Sequence, residues 1–457
     1  MTWTYCPKCL EKDREIYDLK AEIVRLKAQL RYRERTAQEG LFGSSTPSSR
    51  VPVKPNSPED RGRVGGARRG HEGQGRMSFS EDEADRVETV RGPTRCPHCR
   101  AALEPRGFRP RSVLDLPPMK AQKVVLRLER LRCPRCRRIL EARPPSVLPR
   151  CLLSTRLMSH VAIQHYGHGA PLGRIEDQLG IGHGTLVQAL HQLRRGLKDV
   201  PDRLIEVYRS APVKHADETG WRNDGHNGYA WLFCTPDLSL YRFRQTRSAQ
   251  VPQQVLGSAP LPGVLVVDRY NAYNKSPCVL QYCYAHRLRE VTDLEKKFPE
   301  APEIRAFVHA LAPRLAQAMK LRSLKLPPRR FRERAARLKR SIQGIIYRPA
   351  RHPGIWGIQD LFRTHKERLY HWAKDPRIPA DNNLAERELR PLVIARKISF
   401  GSQSDAGAQT RETLMTILHT LRKRVPDVAQ AFTQALDTLA ANPSLDPYAV
   451  LFPPDSS

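Results

Sequence analysis

The spacing of apolar residues changes repeatedly along the chain, and each change marks a different kind of element. Between residues 10 and 39 they fall at Ile16, Leu19, Ile23, Leu26 and Leu30, in steps of 3, 4, 3 and 4. Such an a/d seam buries itself against a second helix, so a short coiled coil that pairs two copies of the chain is expected over 10–39. Only about two heptads are clean, and the rival reading is one amphipathic helix packed on the body. The periodicity then stops. Residues 43–58 (GSSTPSSRVPVKPNSP) are rich in Ser and Pro, and residues 61–76 (RGRVGGARRGHEGQGR) in Gly and Arg. Neither composition buries a core, so 40–76 reads as a disordered linker. Its Arg/Gly half either tracks phosphates or is a solvated tether.

Further along, KVVLRL (123–128) alternates as a strand does, inside a segment, 77–149, that is otherwise rich in turn residues. Residues 150–205 return to helical periodicity. Within them LGRIEDQLGIGHGTLVQALHQL (172–193) reads as helix, Gly-containing turn and helix, with Leu186 to Leu193 as candidate recognition helix. A plain helical hairpin is the equal alternative. From about 210 the period shortens to two. Strands are expected at Pro212–Asp217, Tyr229–Thr235 and Leu240–Arg244, the last two antiparallel through a turn at Pro236 and Asp237. A helix at Ser248–Leu256, a buried strand at Gly263–Asp268 and a short strand at Val279–Cys283 follow.

Residues 291–375 turn helical and basic, as in FRERAARLKRSIQG (331–344), and read as an insertion between two halves of a core at 210–290 and 376–425. A helix should start in the second half at Asp381 or Asn382 and run to Arg390. Residues 426–457 are left as a C-terminal tail region. The fold class expected is multidomain α+β: coiled coil, zinc ribbon, helical DNA-binding region, and an α/β core interrupted by helices. The strand and helix order in 210–290 is that of an RNase H-like core, whose first and fourth strands set their acids side by side.

Composition narrows the partners. The 457 residues carry 78 Lys and Arg against 47 Asp and Glu, a formal charge of +31. A chain this basic points to a polyanion. A membrane is the rival, but no stretch approaches the ~18–20 apolar residues of a spanning helix. MTWTYCPK has no apolar signal region, which implies a reducing, cytoplasmic and nucleoid-associated setting. There the ten cysteines are better read as ligands or free thiols than as disulfides. Cys96/Cys99 and Cys133/Cys136 form two C-P-x-C knuckles, which together would close a tetrahedral structural Zn²⁺ site with no open position for chemistry. Cys6 and Cys9 are a lone pair, either half of an intermolecular site or nothing.

Three acids carry the candidate chemistry. Asp217 lies in HADETGWR (215–222), Asp268 ends GVLVVDRY (263–270), and Glu386 sits in DNNLAERELRP (381–391). Two carboxylates at strand ends and a third on a helix suit a pair of Mg²⁺ ions in phosphoryl transfer. Helical spacing sets Asn382, Glu386 and Arg390 on one face. By type alone, Glu386 reads equally as a surface acid in an ion pair. Glu218 competes with Asp217, but strand alternation should turn it to the opposite face. Asp224, Glu388 and Asp405 are weaker candidates.

Taken together, HADETGWR, VVDRYNAY, CYAH (283–286) and DNNLAERELRPLVIARK resemble the transposases of the IS66 insertion-sequence family. The resemblance spans almost the whole chain, including the coiled coil, the Gly/Arg linker, the four cysteines and the closing DPYAVLF (446–452). It implies a DDE transposase that binds the inverted-repeat ends of its own element, cuts their 3′ ends and joins them to target DNA. It implies Asp217, Asp268 and Glu386 as the Mg²⁺ (or Mn²⁺) triad, the two Asp residues holding both ions or the first, and Glu386 completing the second. Arg387, Arg390, Arg396 and Lys397 are expected to contact DNA. Partners implied are DNA, a second or further copies of the chain, and accessory proteins of the same element. The resemblance leaves Cys283 and His286 as shaping the core or merely packing it, with no two further ligands evident for zinc. Many relatives carry a small residue after the second Asp, where this chain has Arg269. A non-catalytic zinc-ribbon regulator, or another RNase H-like nuclease, would share the charge and the zinc.

Overall fold

The computed structural model describes scattered helical positions between 12 and 26, then residues 80–91, 93–95, 97–104, 108, 121–142, 144 and 146–453. Compact packing divides the chain into Met1–Pro118 and Met119–Ser457. In the first unit Ile16, Leu19, Ile23 and Leu26 are helical, with their seam 47–56% exposed; Leu30 lies outside the described residues. So do the 40–76 linker, Cys6, Cys9 and Cys96.

The second unit opens on a short hairpin, β1 (Arg130–Arg132) with β2 (Ile139–Glu141). The strand expected at 123–128 is absent: that segment has no ladder partner among the described residues, and Val124 and Val125 are exposed. Alternation identifies a face that a neighbour can cover, and among the described residues no neighbour covers it.

Four helices follow: α1 (Thr155–Ala162), α2 (Leu172–Leu179), α3 (His183–Leu197) and α4 (Val200–Ser210). Gly180, left-handed at φ 66°, ends α2. The candidate recognition helix is α3, whose Leu186, Leu190 and Leu193 are buried in the common core while His183, Thr185 and Gln188 are exposed.

The body is a mixed sheet of five strands, β3 (Val213–Asn223), β4 (His226–Cys234), β5 (Ser239–Arg244), β6 (Val264–Val267) and β7 (Val279–Tyr282), in the order β5-β4-β3-β6-β7. β3, β4 and β5 are antiparallel neighbours, while β6 runs parallel to both β3 and β7. Helix α5 (Gln250–Leu256) precedes β6, and a 3₁₀ turn (Asn271–Lys275) separates β6 from β7. β3 and β4 are longer than the apolar pattern suggested. They continue through polar positions to a two-residue turn at Asp224 and Gly225, with φ 49° and 75°, the positive pair that a tight hairpin requires.

Helices α6 (Tyr284–Lys297), α7 (Pro302–Leu321), α8 (Pro328–Ile346) and α9 (Pro353–Thr364) form the insertion. In α8 the residues Phe331, Ala335, Leu338, Ile342 and Ile345 are buried, and their steps of 4, 3, 4 and 3 leave the arginines outside. Helix α10 (Asn383–Ser399) returns the chain to the sheet, and α11 (Asp405–Arg424) covers edge strand β5. Beyond residue 426 the described chain forms two further helices, α12 (Val428–Ala441), packed on α1, and a short α13 (Pro447–Leu451).

The cover on β5 is unusually regular. Ser239, Tyr241 and Phe243 donate their N–H groups to Thr420 Oγ1 (3.1 Å), Thr416 Oγ1 (3.0 Å) and Glu412 Oε2 (3.0 Å). Four residues of helix rise ~6.0 Å and two of strand ~6.8 Å, so the two ladders stay in step. An otherwise open edge is thereby closed to intermolecular pairing.

Candidate active site

Two of the three acids are brought together by strand register. β3 pairs β6 through Val213–Val264, Lys214–Leu265 and His215–Val266. Two residues further on, the same register sets Asp217 beside Asp268, just where β6 ends and the chain leaves the sheet. Asp268 Oδ1 accepts the N–H of Tyr270 (2.9 Å), and Asp217 Oδ1 that of Glu218 (2.9 Å). Among the described residues neither Asp forms an ion pair with Lys or Arg, in a chain that has 78 of them.

Glu386 is delivered by α10, and α10 is fastened to β3 at three levels. At its start the Asp381 carboxylate accepts the N–H of Asn383 (3.0 Å). That leaves the Asn382 side chain free to turn inward, where it is 1% exposed. Asn382 Nδ2 donates to Ala216 O (2.9 Å), and its Oδ1 meets His215 Nδ1 at 2.8 Å. Its own carbonyl accepts the N–H of Glu386 (3.1 Å). Midway, Arg396 Nη1 donates to Thr219 Oγ1 (3.0 Å) and Gly220 O (2.5 Å). At the end Phe400 is left-handed, and Ser402 exchanges backbone bonds with Arg222 and Asp224 (both 2.9 Å). Gly401, at φ 135°, lies so close to the Arg222 carbonyl that a Cβ would collide with it.

The three acids lie within electrostatic reach of one another. Burial first, then the charges of Glu218, Asp268 and Glu386, push Asp217 up to about 8. Glu218 therefore stays near the acids despite alternation. Its side chain is 2% exposed, and Arg247 Nη2 (2.6 Å) and Tyr273 Oη (2.6 Å) hold its two oxygens. Burial raises its pKa, while those two hydrogen bonds oppose the rise. Glu388 and Asp405 are engaged elsewhere, with Ser239 (2.9 Å) and Asn223 (2.5 Å), and Asp224 forms the hairpin turn.

CYAH enters the site from the other side. Cys283 follows β7 and donates its N–H to Val267 O (2.9 Å), next to Asp268, while its Sγ accepts the N–H of Asn382 (3.2 Å). Ligand atoms of Cys283, His286 and Glu386 all lie within 4.8 Å of one another. Exposed Arg289 makes one 3.3 Å contact with Glu386. Of the residues expected to meet DNA, Arg387, Arg390 and Lys397 are exposed, whereas Arg396 first serves to hold α10 on β3. Arg387 also lines a cavity of about 870 Å³ with Arg322, Lys325 and Arg377. A second cavity, of about 740 Å³, lies between α7 and α8 and is lined by Arg314, Arg330, Arg334 and Arg337 with Glu333.

Comparison with known proteins supplies the family. The model described as "Transposase IS66 family" matches residues 150–410, which contain all three acids. The chain belongs to the IS66 transposase family. The "zinc-finger binding domain of transposase IS66" matches residues 93–137, which contain all four knuckle cysteines of this IS66-family chain. Each knuckle is followed by a left-handed arginine, Arg100 (φ 62°) and Arg137 (φ 60°). In the second knuckle hydrogen bonds from Cys136 and Arg135 lower the Cys133 pKa. Similar curated proteins include the uncharacterized y4qI of Sinorhizobium fredii (strain NBRC 101917 / NGR234), 25% identical over 72% of this chain and 67% of its own. The uncharacterized y4jD of the same strain is 24% identical over 90% of this chain and 88% of its own. Among the described residues no helix is long and apolar enough to cross a membrane.

Proposed function

We propose that this IS66-family protein is a DDE transposase that cleaves the 3′ ends of its own element and joins them to target DNA. The observation that supports the reading is that register sets Asp217 beside Asp268 at adjacent strand ends, with Glu386 near enough to raise the Asp217 pKa and, among the described residues, no basic partner for either Asp. Like charges gathered in low dielectric are costly unless a cation offsets them, and an all-oxygen set at two strand ends and a helix suits Mg²⁺ or Mn²⁺. Bound divalent ions there supply the Lewis acid that activates the attacking oxygen and stabilises the leaving one.

The chain's own residues do the rest. Asp217 and Asp268 hold the reacting phosphate's ions at adjacent strand ends, and Glu386 completes the set from a helix that three fastenings keep in place. Arg387, Arg390 and Lys397, with the arginines of the α7–α8 cavity, meet DNA phosphates. In the first step water attacks the phosphorus and the bond to the 3′ oxygen breaks, freeing a 3′-OH. In the second that 3′-OH attacks a target phosphodiester, so one P–O bond forms for each one broken. The five-stranded mixed sheet with its helical insertion is read as an RNase H-like core. Cys96, Cys99, Cys133 and Cys136 hold a structural Zn²⁺. The seam Ile16, Leu19, Ile23 and Leu26 pairs with a second copy, and the protein works in the cytoplasm on nucleoid DNA.

A non-catalytic regulator leaves the acid cluster without a purpose. The test is a cellular mobility assay, in which a marker flanked by the DNA on either side of this gene is supplied with wild-type protein or Glu386→Gln. Movement with wild type alone supports the proposal, and equal movement with both removes Glu386 from it.

A further inference from the structure

The CYAH segment has no assigned part in the chemistry above, yet the structure puts its histidine among the acids. An imidazole nitrogen of His286 and a carboxylate oxygen of Glu386 belong to one cluster whose ligand atoms lie within 4.8 Å of one another. His286 also feels the charge of Asp268 as well as that of Glu386. Its Nδ1 is buried and has no hydrogen-bond partner among the described residues. A buried polar atom without a partner is uncommon and calls for an explanation.

The surroundings explain why the ring stands there. Two backbone bonds, Cys283 N–H to Val267 O (2.9 Å) and Tyr284 N–H to Ala380 O (2.8 Å), tie the first turn of α6 between the end of β6 and the start of α10. His286, in the first turn of α6, is therefore held beside Glu386, and within reach of the Asp268 charge, by the same fastenings that set the acids. Cys283 Sγ is in the cluster too, but it is already bonded to the N–H of Asn382 at 3.2 Å and is 1% exposed. It forms the back wall. Arg289, 59% exposed and attached to Glu386 by a single 3.3 Å contact, is free to swing into solvent.

We propose that His286 is a nitrogen ligand of the divalent ion held by Asp268 and Glu386, which makes that position prefer a transition-metal ion to Mg²⁺. The inference rests on the reading of the three acids as a metal site. Bonds of about 2.1 Å place two ligand atoms up to ~4.2 Å apart, so small side-chain rotations close the set. Imidazole favours transition ions, whereas Mg²⁺ takes oxygen ligands and keeps its waters. An all-carboxylate site would not draw that distinction as strongly.

The test uses full-length, zinc-loaded protein with Mn²⁺ as the probe and needs no turnover. Pulsed electron paramagnetic resonance of bound Mn²⁺ should show coupling to ¹⁴N, replaced by ¹⁵N coupling when histidine alone is labelled. His286→Gln should lose that coupling and weaken Mn²⁺ binding by about tenfold or more, with Mg²⁺ binding much less affected. Labelling of the wild-type protein gives an answer even if the variant folds poorly. Mn²⁺ that is bound, and lost in Asp268→Asn, but shows no histidine nitrogen coupling would overturn the His286 assignment while leaving the acid site intact. Mn²⁺ binding that is absent, or indifferent to Asp268→Asn, would overturn both.

Discussion

Asn382 Oδ1 and His215 Nδ1 lie 2.8 Å apart, in the buried seam between the N-cap of α10 and the strand that bears Asp217. Burial holds His215 down to about 4, so the ring is neutral at working pH and its Nδ1–H donates to the amide. The same amide donates to Ala216 O, and the Asn382 carbonyl accepts the N–H of Glu386. One side chain thus spans the two elements that carry the first and third acids.

Asn382→Ala should therefore do more than lower stability. Leaving His215 and Ala216 O unsatisfied costs about 2–4 kcal/mol. The loss of register between Asp217 and Glu386 should cut kcat by about 10²-fold, with DNA affinity little changed. Denaturation midpoints, single-turnover rates and DNA binding measured together check this. A variant that is destabilised yet turns over at the wild-type rate would reduce Asn382 to a packing role.

Glu218 and Asp217 are sequence neighbours with different surroundings. Arg247 and Tyr273 already occupy both oxygens of Glu218, whereas among the described residues Asp217 accepts only a backbone N–H. Glu218→Gln is expected to keep activity within about tenfold, and Asp217→Asn to lose at least ~10³-fold. Metal-dependent cleavage rates decide, and the reverse ranking would exchange the two residues' roles.

Acid should weaken the helical layer behind the sheet. Burial holds both His165 and His419 down to about 4. With folded pKa values below the unfolded 6.5, their contribution is present above pH 6.5 and is lost as pH falls toward 4. With His215, also held to about 4, three such groups give a slope of up to ~4.1 kcal/mol per pH unit in that window. Urea midpoints at pH 7, 6 and 5 should fall steeply in the wild type and more gently in His419→Gln. Equal slopes would mean that His419 gains its proton without unfolding.

Zinc is tested by stoichiometry. Purified protein should carry about one Zn²⁺ per chain by elemental analysis, and Cys133→Ser should lose it. Retention of zinc by that variant would take Cys133 out of the ligand set.

The strand before Asp268 and the helix carrying Glu386 were legible because their sequence signals are local. GVLVVD is an unbroken apolar run ending in a charge, and such a run is a buried strand with an acid at its mouth. D-N-N-L-A-E-R carries a helix start and the acid within two turns. What was not legible depended on partners distant in sequence. The Glu412, Thr416 and Thr420 ladder looks like ordinary polar helix surface until β5 lies against it. KVVLRL alternates but has no ladder partner among the described residues. Val428–Ala441, read only as a tail region, is a helix whose Phe432 and Leu436 are buried. Asn223-Asp224-Gly225 did carry a local hairpin signal, and polar residues around it obscured the strands. Glu218 shows the limit of alternation: its charge raises the Asp217 pKa although the two are neighbours on one strand.

The most direct test of the central claim is cleavage and joining of DNA bearing the element's own ends by purified protein. With Mg²⁺ or Mn²⁺ the wild type should free 3′-OH ends and join them to a target. Asp217→Asn, Asp268→Asn and Glu386→Gln should each lose at least ~10³-fold while still binding the ends. Wild-type rates in any of the three variants, or cleavage that needs no divalent ion, would contradict the account.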